Sequence, residues 1–557
     1  MVRLALLALA SCGGGDPTAG TGADAAGGTA PAAGPRDTLV VGWVADVGSL
    51  NSVVSVAVDD GDLISALMFP MIDADFVDCQ LRPQAGHATE WAWSADGKTI
   101  QMTLRGDLKW QDGTPVTVDD VVFTYELVAD HDVASPRYEY VEKLVSGARP
   151  RVVDATHIEW QFTKPFDQVT QLSQVSDLAL LPKHVLTGAD RASLRGNPYS
   201  RAPLSYGPWT LATYEPNQRI VLEHNPGFSG PEDWKPKLER VVFRVIPDYN
   251  TRLLELQAGK IDHLRGIAVT DADRLRKEHP EIKLYRRGWR TFDYVVWNFE
   301  NPLFQDVNVR NALAMAVDAD GMIGRLLTSE TGEKYGRRSV GNISPALCGA
   351  HNDDLNPIVF NPQRSKDLLA QAGWADTDAD GVLDKDGKRF EFTLATMAGN
   401  KRRGDAQILV QAALKEVGVV VNLEQQEANA LNENLRKRRY DAAMSGWSAA
   451  LFIDPSAMWM CDEVDKPHEF NFANYCNPEV DALITKGLAT TKADEAAPIW
   501  REMQAKIYAD QPYLFLYWMD EIVGLHRRFN HAEIDVLSSL NHLERWEVPP
   551  EKVKYKR

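Results

Sequence analysis

The segment Gly446-Trp447-Ser448-Ala449-Ala450 places a serine between small residues, much as a nucleophile elbow does. Such an elbow exposes its hydroxyl on a tight strand-to-helix turn and needs glycine at the last position, where this chain has Ala450. No His-Glu-x-x-His pair is present, and no Gly-rich loop ends in Lys-Ser or Lys-Thr. The 12 histidines are scattered without ligand spacing and read as structural or surface groups. Asp376, Asp378, Asp380, Asp384 and Asp386, with Gly381 among them, imitate a calcium loop. Its twelfth position is Gly387, which cannot supply the bidentate carboxylate, and a strand pattern follows where a second helix is needed. No catalytic residue, metal or cofactor is therefore expected. A secreted hydrolase is the alternative, but no nucleophile–base pair can be assembled for it.

Binding is better supported than chemistry. Fifteen Trp and sixteen Tyr offer apolar area with a polar tip, suited to a core and to a ligand cleft. The balance of 60 basic and 78 acidic residues argues against a nucleic-acid backbone as partner and reads first as serving solubility, with a mild preference for cationic ligands as the weaker alternative. At 557 residues the chain is expected to split into two to four domains.

The amino terminus reads as an export signal. Arg3 precedes a short apolar run, residues 4–10, and Leu9-Ala10-Ser11-Cys12 resembles a bacterial lipobox, in which cleavage precedes a cysteine that becomes lipidated. The run is too short to span a bilayer. Residues 1–12 are thus expected to be a lipoprotein signal peptide. Residues 13–37, almost all Gly, Ala, Pro, Thr and Asp, form a tether of roughly 25 residues reaching about 25–30 Å. The expected location is periplasmic or extracytoplasmic, with a lipid anchor on Cys12. An exported protein can oxidise its remaining cysteines. Cys461 and Cys476 bracket a short loop and are expected to bond, at about 3 kcal/mol of chain-entropy stabilisation; whether Cys79 and Cys348 pair is left open.

The positioning elements are punctuated clearly. Residues 39–43 form an apolar first strand, and 99–104 alternate Ile100, Met102 and Leu104 against polar neighbours. Thr117 with Asp120 is a short capping box before a helix with Val121, Val122, Tyr125 and Val128 on one face. Asn361, Pro362 and Gly373 mark both ends of another helix. Strands are expected at residues 292–299 and 390–396, with a helix at 406–417.

The motifs point to a family. Residues 91–99 read WAWSADGKT, 104–115 read LRGDLKWQDGTP, and 118–121 read VDDV. This run closely resembles the signature of the family 5 extracytoplasmic solute-binding proteins of ABC importers, the oligopeptide-, dipeptide- and nickel-binding group. Further matches are Tyr206-Gly207-Pro208-Trp209, residues 253–262, the run from Asn298 through Arg310 to Asp318, and residues 475–484. The resemblance implies an α/β, bilobed periplasmic-binding-protein fold (type II, cluster C-like) of three subdomains with a hinged cleft. Subdomain I would comprise residues 38–75, 198–290 and 520–557, subdomain II 76–197, and subdomain III 291–519. It implies a monomer that captures a peptide or peptide-like solute and delivers it to the permease transmembrane subunits, without altering it. The alternatives are a non-peptide ligand (nickel chelate, haem, opine or sugar) or a sensor role. The ligand-facing residues it implies are Trp447, Tyr206, Trp297 and Asn298, with Arg290 available to an anionic group. Peptide binders of the family often place an acid three residues after the Trp; here that position is Ala450. Asp454 is the nearest substitute, or else caps the turn at Pro455.

Overall fold

The computed structural model describes residues 37–554 other than 56, 139–140, 142–143, 145–148, 166 and 462–469. The leader, Cys12 and most of the tether lie outside the described residues.

The first strand, Thr38–Trp43, is buried at every position, as its apolar run requires, because both its faces are covered: Leu39, Val41 and Trp43 pack into one core and Val40 into another. Arg240–Val245 lies parallel on one side and His263–Leu264 parallel on the other. Beyond Arg240–Val245, the strands Arg219–His224 and Trp209–Glu215 complete this end of an 11-stranded sheet. The other end is Ala442–Ser448, Glu391–Met397 and Val420–Gln426. Two long antiparallel strands, Ile282–Trp297 and Tyr513–His526, join the ends. Their register breaks between Arg287 and Thr291. On one side of the break, residues 513–526 pair with His263–Leu264 through Leu525 and Gly524; on the other, residues 291–297 pair with Ala442–Ser448. A bulge bends a strand locally, so two lobes here share one pair of strands across an irregular junction.

The strand expected at 292–299 begins ten residues earlier, at Ile282. Charge hid it. Arg286 and Arg287 interrupt the apolar pattern, but they are paired across the ladder with Asp520 and Glu521. The helix expected at 406 likewise starts at Lys401, because Asn400 caps it through the Arg403 N–H at 3.1 Å.

A second, four-stranded sheet is formed by Ala88–Trp93, Thr99–Leu104, His157–Gln161 and Arg151–Val152. The helix Val118–Ala129 belongs to the same core, which runs without interruption from Ile100, Trp110 and Trp160 to Trp43, Trp209 and Trp546 in the first lobe. The predicted capping pair forms: Asp120 Oδ2 accepts from Thr117 N at 2.9 Å. Its other oxygen accepts from Lys183 N, tying the helix to the return segment. A separate hairpin, Ile72–Val77 with Gln80–Ala85, turns at Asp78 and Cys79, both with positive φ. Asn361 and Gly373 sit at the ends of Pro362–Gln371 as expected.

The junction carries its own pH dependence. Burial favours the neutral form of Glu521, but Arg265 and Arg287 outweigh it and hold the carboxyl at about 2, against an ordinary 4.5. A depressed carboxylate stabilises the fold fully above its unfolded value and loses that contribution as pH falls toward the folded one. We expect Glu521→Gln to lower the melting midpoint at pH 7 and the difference from the parent to shrink between about pH 5 and pH 3. Melting curves across that range check it; a difference constant with pH would refute the assignment.

Candidate functional site

Between the lobes lies a cavity of about 550 Å³, within the size range of small-ligand sites. One wall is the strand Ala442–Ser448. On one edge it pairs with residues 291–297 along its whole length. On the other edge Glu391–Met397 pairs only with Ala442, Ala443 and Met444. From Ser445 onward no strand covers that edge among the described residues, and Ser445, Gly446, Trp447 and Ser448 line the cavity. Ala449 N donates to Arg290 O at 2.6 Å. Hydrogen-bonded positions alternate along an antiparallel ladder, so the backbone groups of Gly446 and Ser448 point away from this partner, toward the open edge.

Gly446 is required by what lies beside it. A Cβ there would overlap the Arg403 guanidinium and come within 2.5 Å of Asp293 Oδ1. Asp293 is fully buried and accepts from Arg402 Nε at 2.8 Å and Arg403 Nε at 3.0 Å. Burial opposes its ionisation, but the two guanidiniums outweigh it and hold the carboxyl below its ordinary range. Two cations thus share one buried anion at the cavity wall. The full lining sets Arg252, Arg265, Lys401, Arg402, Arg403 and Arg436 against Asp46, Asp60, Asp454 and Glu521. The cavity therefore leans basic although the chain as a whole carries −18, so the weaker alternative of a cationic ligand gains nothing from its lining.

The residues predicted to face ligand separate into two groups. Trp447 lines the cavity, with its ring stacked on Phe472 at 5.2 Å and its Nε1 3.4 Å from the Tyr513 hydroxyl. Asp454 also lines it. One of its oxygens accepts from Ser456 Oγ at 2.6 Å, capping the turn; the other accepts from Gln174 Nε2 at 3.0 Å, a bond between the lobes. The other four lie outside the lining. Tyr206 is buried edge-on to Trp110, and its hydroxyl accepts from Leu180 N at 3.0 Å. Trp297 stacks on Phe304 inside the second lobe. Asn298 donates to Arg438 O and Tyr440 O, fastening a loop. Arg290 donates to Ala449 O, Val536 O and Leu537 O, at 2.8–3.1 Å, and so clamps the start of the loop after Trp447 to the carboxy-terminal segment. Burial lowers its pKa to about 10. These placements replace the cleft-facing positions expected for the four.

Sequence reasoning passed over Asp293, Arg402, Arg403 and Gly399. The signal for Asp293 was a single acid inside an aromatic strand, TFDYVVW, which must find a cation if buried. Cys461 is bonded to Cys476, and Cys79 to Cys348. The acidic turn is occupied by its own chain: Asp376 accepts from Asp380 N and Gly381 N, and Asp380 pairs with Arg389. Asp376, Asp378 and Asp380 lie close together and exposed.

Comparison with known proteins agrees with this architecture. The sequence model for bacterial extracellular solute-binding proteins, family 5, matches residues 82–465. The oligopeptide-binding protein AppA of Bacillus subtilis is 29% identical over 514 residues, covering 91% of each chain. The Escherichia coli dipeptide-binding protein is 25% identical over 461 residues, covering 77% of this chain and 80% of its own. The structure of B. subtilis AppA in complex with a nonapeptide superposes with a TM-score of 0.85 at 28% identity, over 92% of this chain and all of that one. NikZ from Campylobacter jejuni, in complex with Ni(L-His), shares the fold with a TM-score of 0.80 at 22% identity, over 92% of this chain and all of that one. No helix among the described residues is long and apolar enough to cross a membrane. With a bilobed, mixed α/β periplasmic-binding-protein fold and a family match over most of its length, the chain belongs to family 5 of the bacterial extracellular solute-binding proteins.

Proposed function

We propose that this protein captures a peptide between its lobes and delivers it to the permease of an ABC importer, held near the membrane by a lipid on Cys12. The observation that carries the reading is the strand edge at Ser445–Ser448, which faces the cavity and which no strand among the described residues covers. An extended peptide can add to such an edge through its backbone, which gives affinity without reading the sequence of side chains. Trp447 beside that edge supplies apolar area for a ligand side chain. Lobe closure about the junction near Arg290 and Asp520 would couple ligand capture to permease docking, since a ligand that contacts both lobes favours the closed form. The division into subdomains I (38–75, 198–290, 520–557), II (76–197) and III (291–519) is part of this reading.

A second reading rests on charge. Ala450 offers no acid to a ligand ammonium, while Arg402 and Arg403 share a single carboxylate. That balance favours a ligand whose anchoring group is a carboxylate, including an opine or an amino-acid metal chelate. Thermal shift with peptides of graded length, nickel–histidine, haem, opines and sugars separates the two. A peptide at 100 times its Kd is expected to add about 2.7 kcal/mol of stability. Trp447→Ala should weaken it by roughly 10- to 100-fold, the range for truncating a central aromatic anchor. Stabilisation by a non-peptide class alone would overturn the peptide reading.

A further inference from the structure

Cys79 and Cys348 stand 269 residues apart and belong to different lobes. Cys79 is at the tip of the hairpin Ile72–Val77/Gln80–Ala85. The hairpin's base is fastened to the first lobe: His87 N donates to Pro70 O at 2.9 Å, Ala88 N donates to Met71 O at 2.8 Å, and Asp73 lies 3.8 Å from His542. Cys348 sits in a loop fixed to the second lobe. There Gln504 Nε2 donates to Ala350 O, Asn352 Nδ2 donates to Arg501 O, and His351 is bonded to Ile343 O. The same loop supplies Asn342, Ile343 and Leu347 to the cavity wall. The bond therefore joins the lobes beside the cavity, as a second covalent link besides the two strands that connect them.

The turn itself indicates that the thiol matters. Asp78 and Cys79 have φ of 52° and 63°. A two-residue hairpin turn with both φ positive favours glycine at the second position, and a residue with a Cβ there is penalised. The chain carries a cysteine where its backbone would favour glycine.

We propose that Cys79–Cys348 is a redox latch on the cleft. Oxidised, it keeps the two Cα atoms, 5.7 Å apart here, within about 7 Å, so the lobes cannot part at this edge without bending the hairpin arm. Reduction frees the edge and lets the cleft open. The step is thiol–disulfide exchange with a dithiol. One thiolate of the dithiol attacks a protein sulfur and the Cys79–Cys348 bond breaks. The second thiol then displaces the mixed disulfide, leaving two protein thiols and the dithiol as its disulfide. Two electrons and two protons pass to the protein. Gating of solute entry and exit follows if the cavity binds solute, and that part rests on the function proposed above.

The test needs no ligand. Hydrogen–deuterium exchange and small-angle scattering are recorded for the ligand-free protein when oxidised, when reduced with dithiothreitol, and as the Cys79→Ser/Cys348→Ser double variant. A Cys461→Ser/Cys476→Ser variant removes the other bond. Reduction and the Cys79/Cys348 variant are expected to raise exchange across residues 342–350 and 445–449 by about tenfold, and to increase the radius of gyration. The Cys461/Cys476 variant, oxidised, should remain closed, and reducing it should still open it. Equal exchange and scattering in the oxidised and reduced states would overturn the latch. So would opening caused only by loss of Cys461–Cys476. Reoxidising the reduced parent must reverse the change, which keeps the test decisive if the double variant folds poorly. A fluorescently labelled nonapeptide is then added: faster dissociation on reduction extends the latch to solute. If it fails to bind at all, the peptide reading fails while the scattering result stands.

Discussion

Asp293→Asn is expected to destabilise the second lobe by about 3–5 kcal/mol, the cost of breaking a buried ion pair from one side. Asn keeps the shape of the side chain but not its charge. Arg402 and Arg403 would then face each other at the cavity wall without the anion that both hold. The loss should appear as a lower midpoint in urea or heat for the second lobe, whose core includes Tyr517, paired opposite Asp293. Adding Arg402→Met removes one orphaned cation and should recover part of the loss, because replacing a buried pair by apolar groups is often near neutral. A change below about 0.5 kcal/mol for Asp293→Asn alone, the usual scatter of a surface substitution, would show that the pair is not structural. Gly446 is part of the same arrangement, since any side chain there displaces the Asp293–Arg403 contact.

Gly399→Ala is the second large effect, and it acts on closure. Gly399 follows Glu391–Met397 in the second lobe, with φ of 78°. A Cβ would overlap the Pro247 carbonyl oxygen and lie 3.2 Å from Val44, both in the first lobe. Arg252 crosses at the same point, donating to Gly399 O at 3.1 Å and Pro247 O at 2.8 Å. The positive φ penalises alanine in every state, but the overlap with Pro247 exists only when the lobes meet here. Overpacking of this kind costs about 1–3 kcal/mol, so ligand affinity should fall by roughly 10- to 100-fold. With Cys79–Cys348 reduced, so that the ligand-free cleft can open, the ligand-free melting midpoint should fall less than the ligand-bound one. Titration calorimetry with any ligand found for the parent checks the affinity. Unchanged affinity with a lowered midpoint in both states would place the effect in the loop alone.

What the sequence determined by itself is local or motif-borne. Family membership was legible in residues 91–121, because a dozen residue types at fixed spacing survive where overall identity is low. The first strand, the Thr117–Asp120 cap and the Asn361–Gly373 helix were legible because apolar period, side-chain capping and positive φ act within a few residues. Only the tertiary structure decided which aromatic and polar candidates meet the cavity. Trp447 and Trp297 sit on neighbouring strands of one sheet, paired through Phe292↔Trp447 and Trp297↔Ala442, yet one lines the cleft and the other is buried. Local pattern cannot separate them, since an aromatic residue in a strand satisfies a core and a binding wall equally. The same holds for charge. The acid excess is summed over the whole surface, while the basic lean of the cavity arises where Lys401–Arg403 folds against Asp293, over a hundred positions earlier in the chain. The bond between Cys79 and Cys348, and the two strands that carry the lobes, are likewise set by long-range packing that no short window of sequence contains.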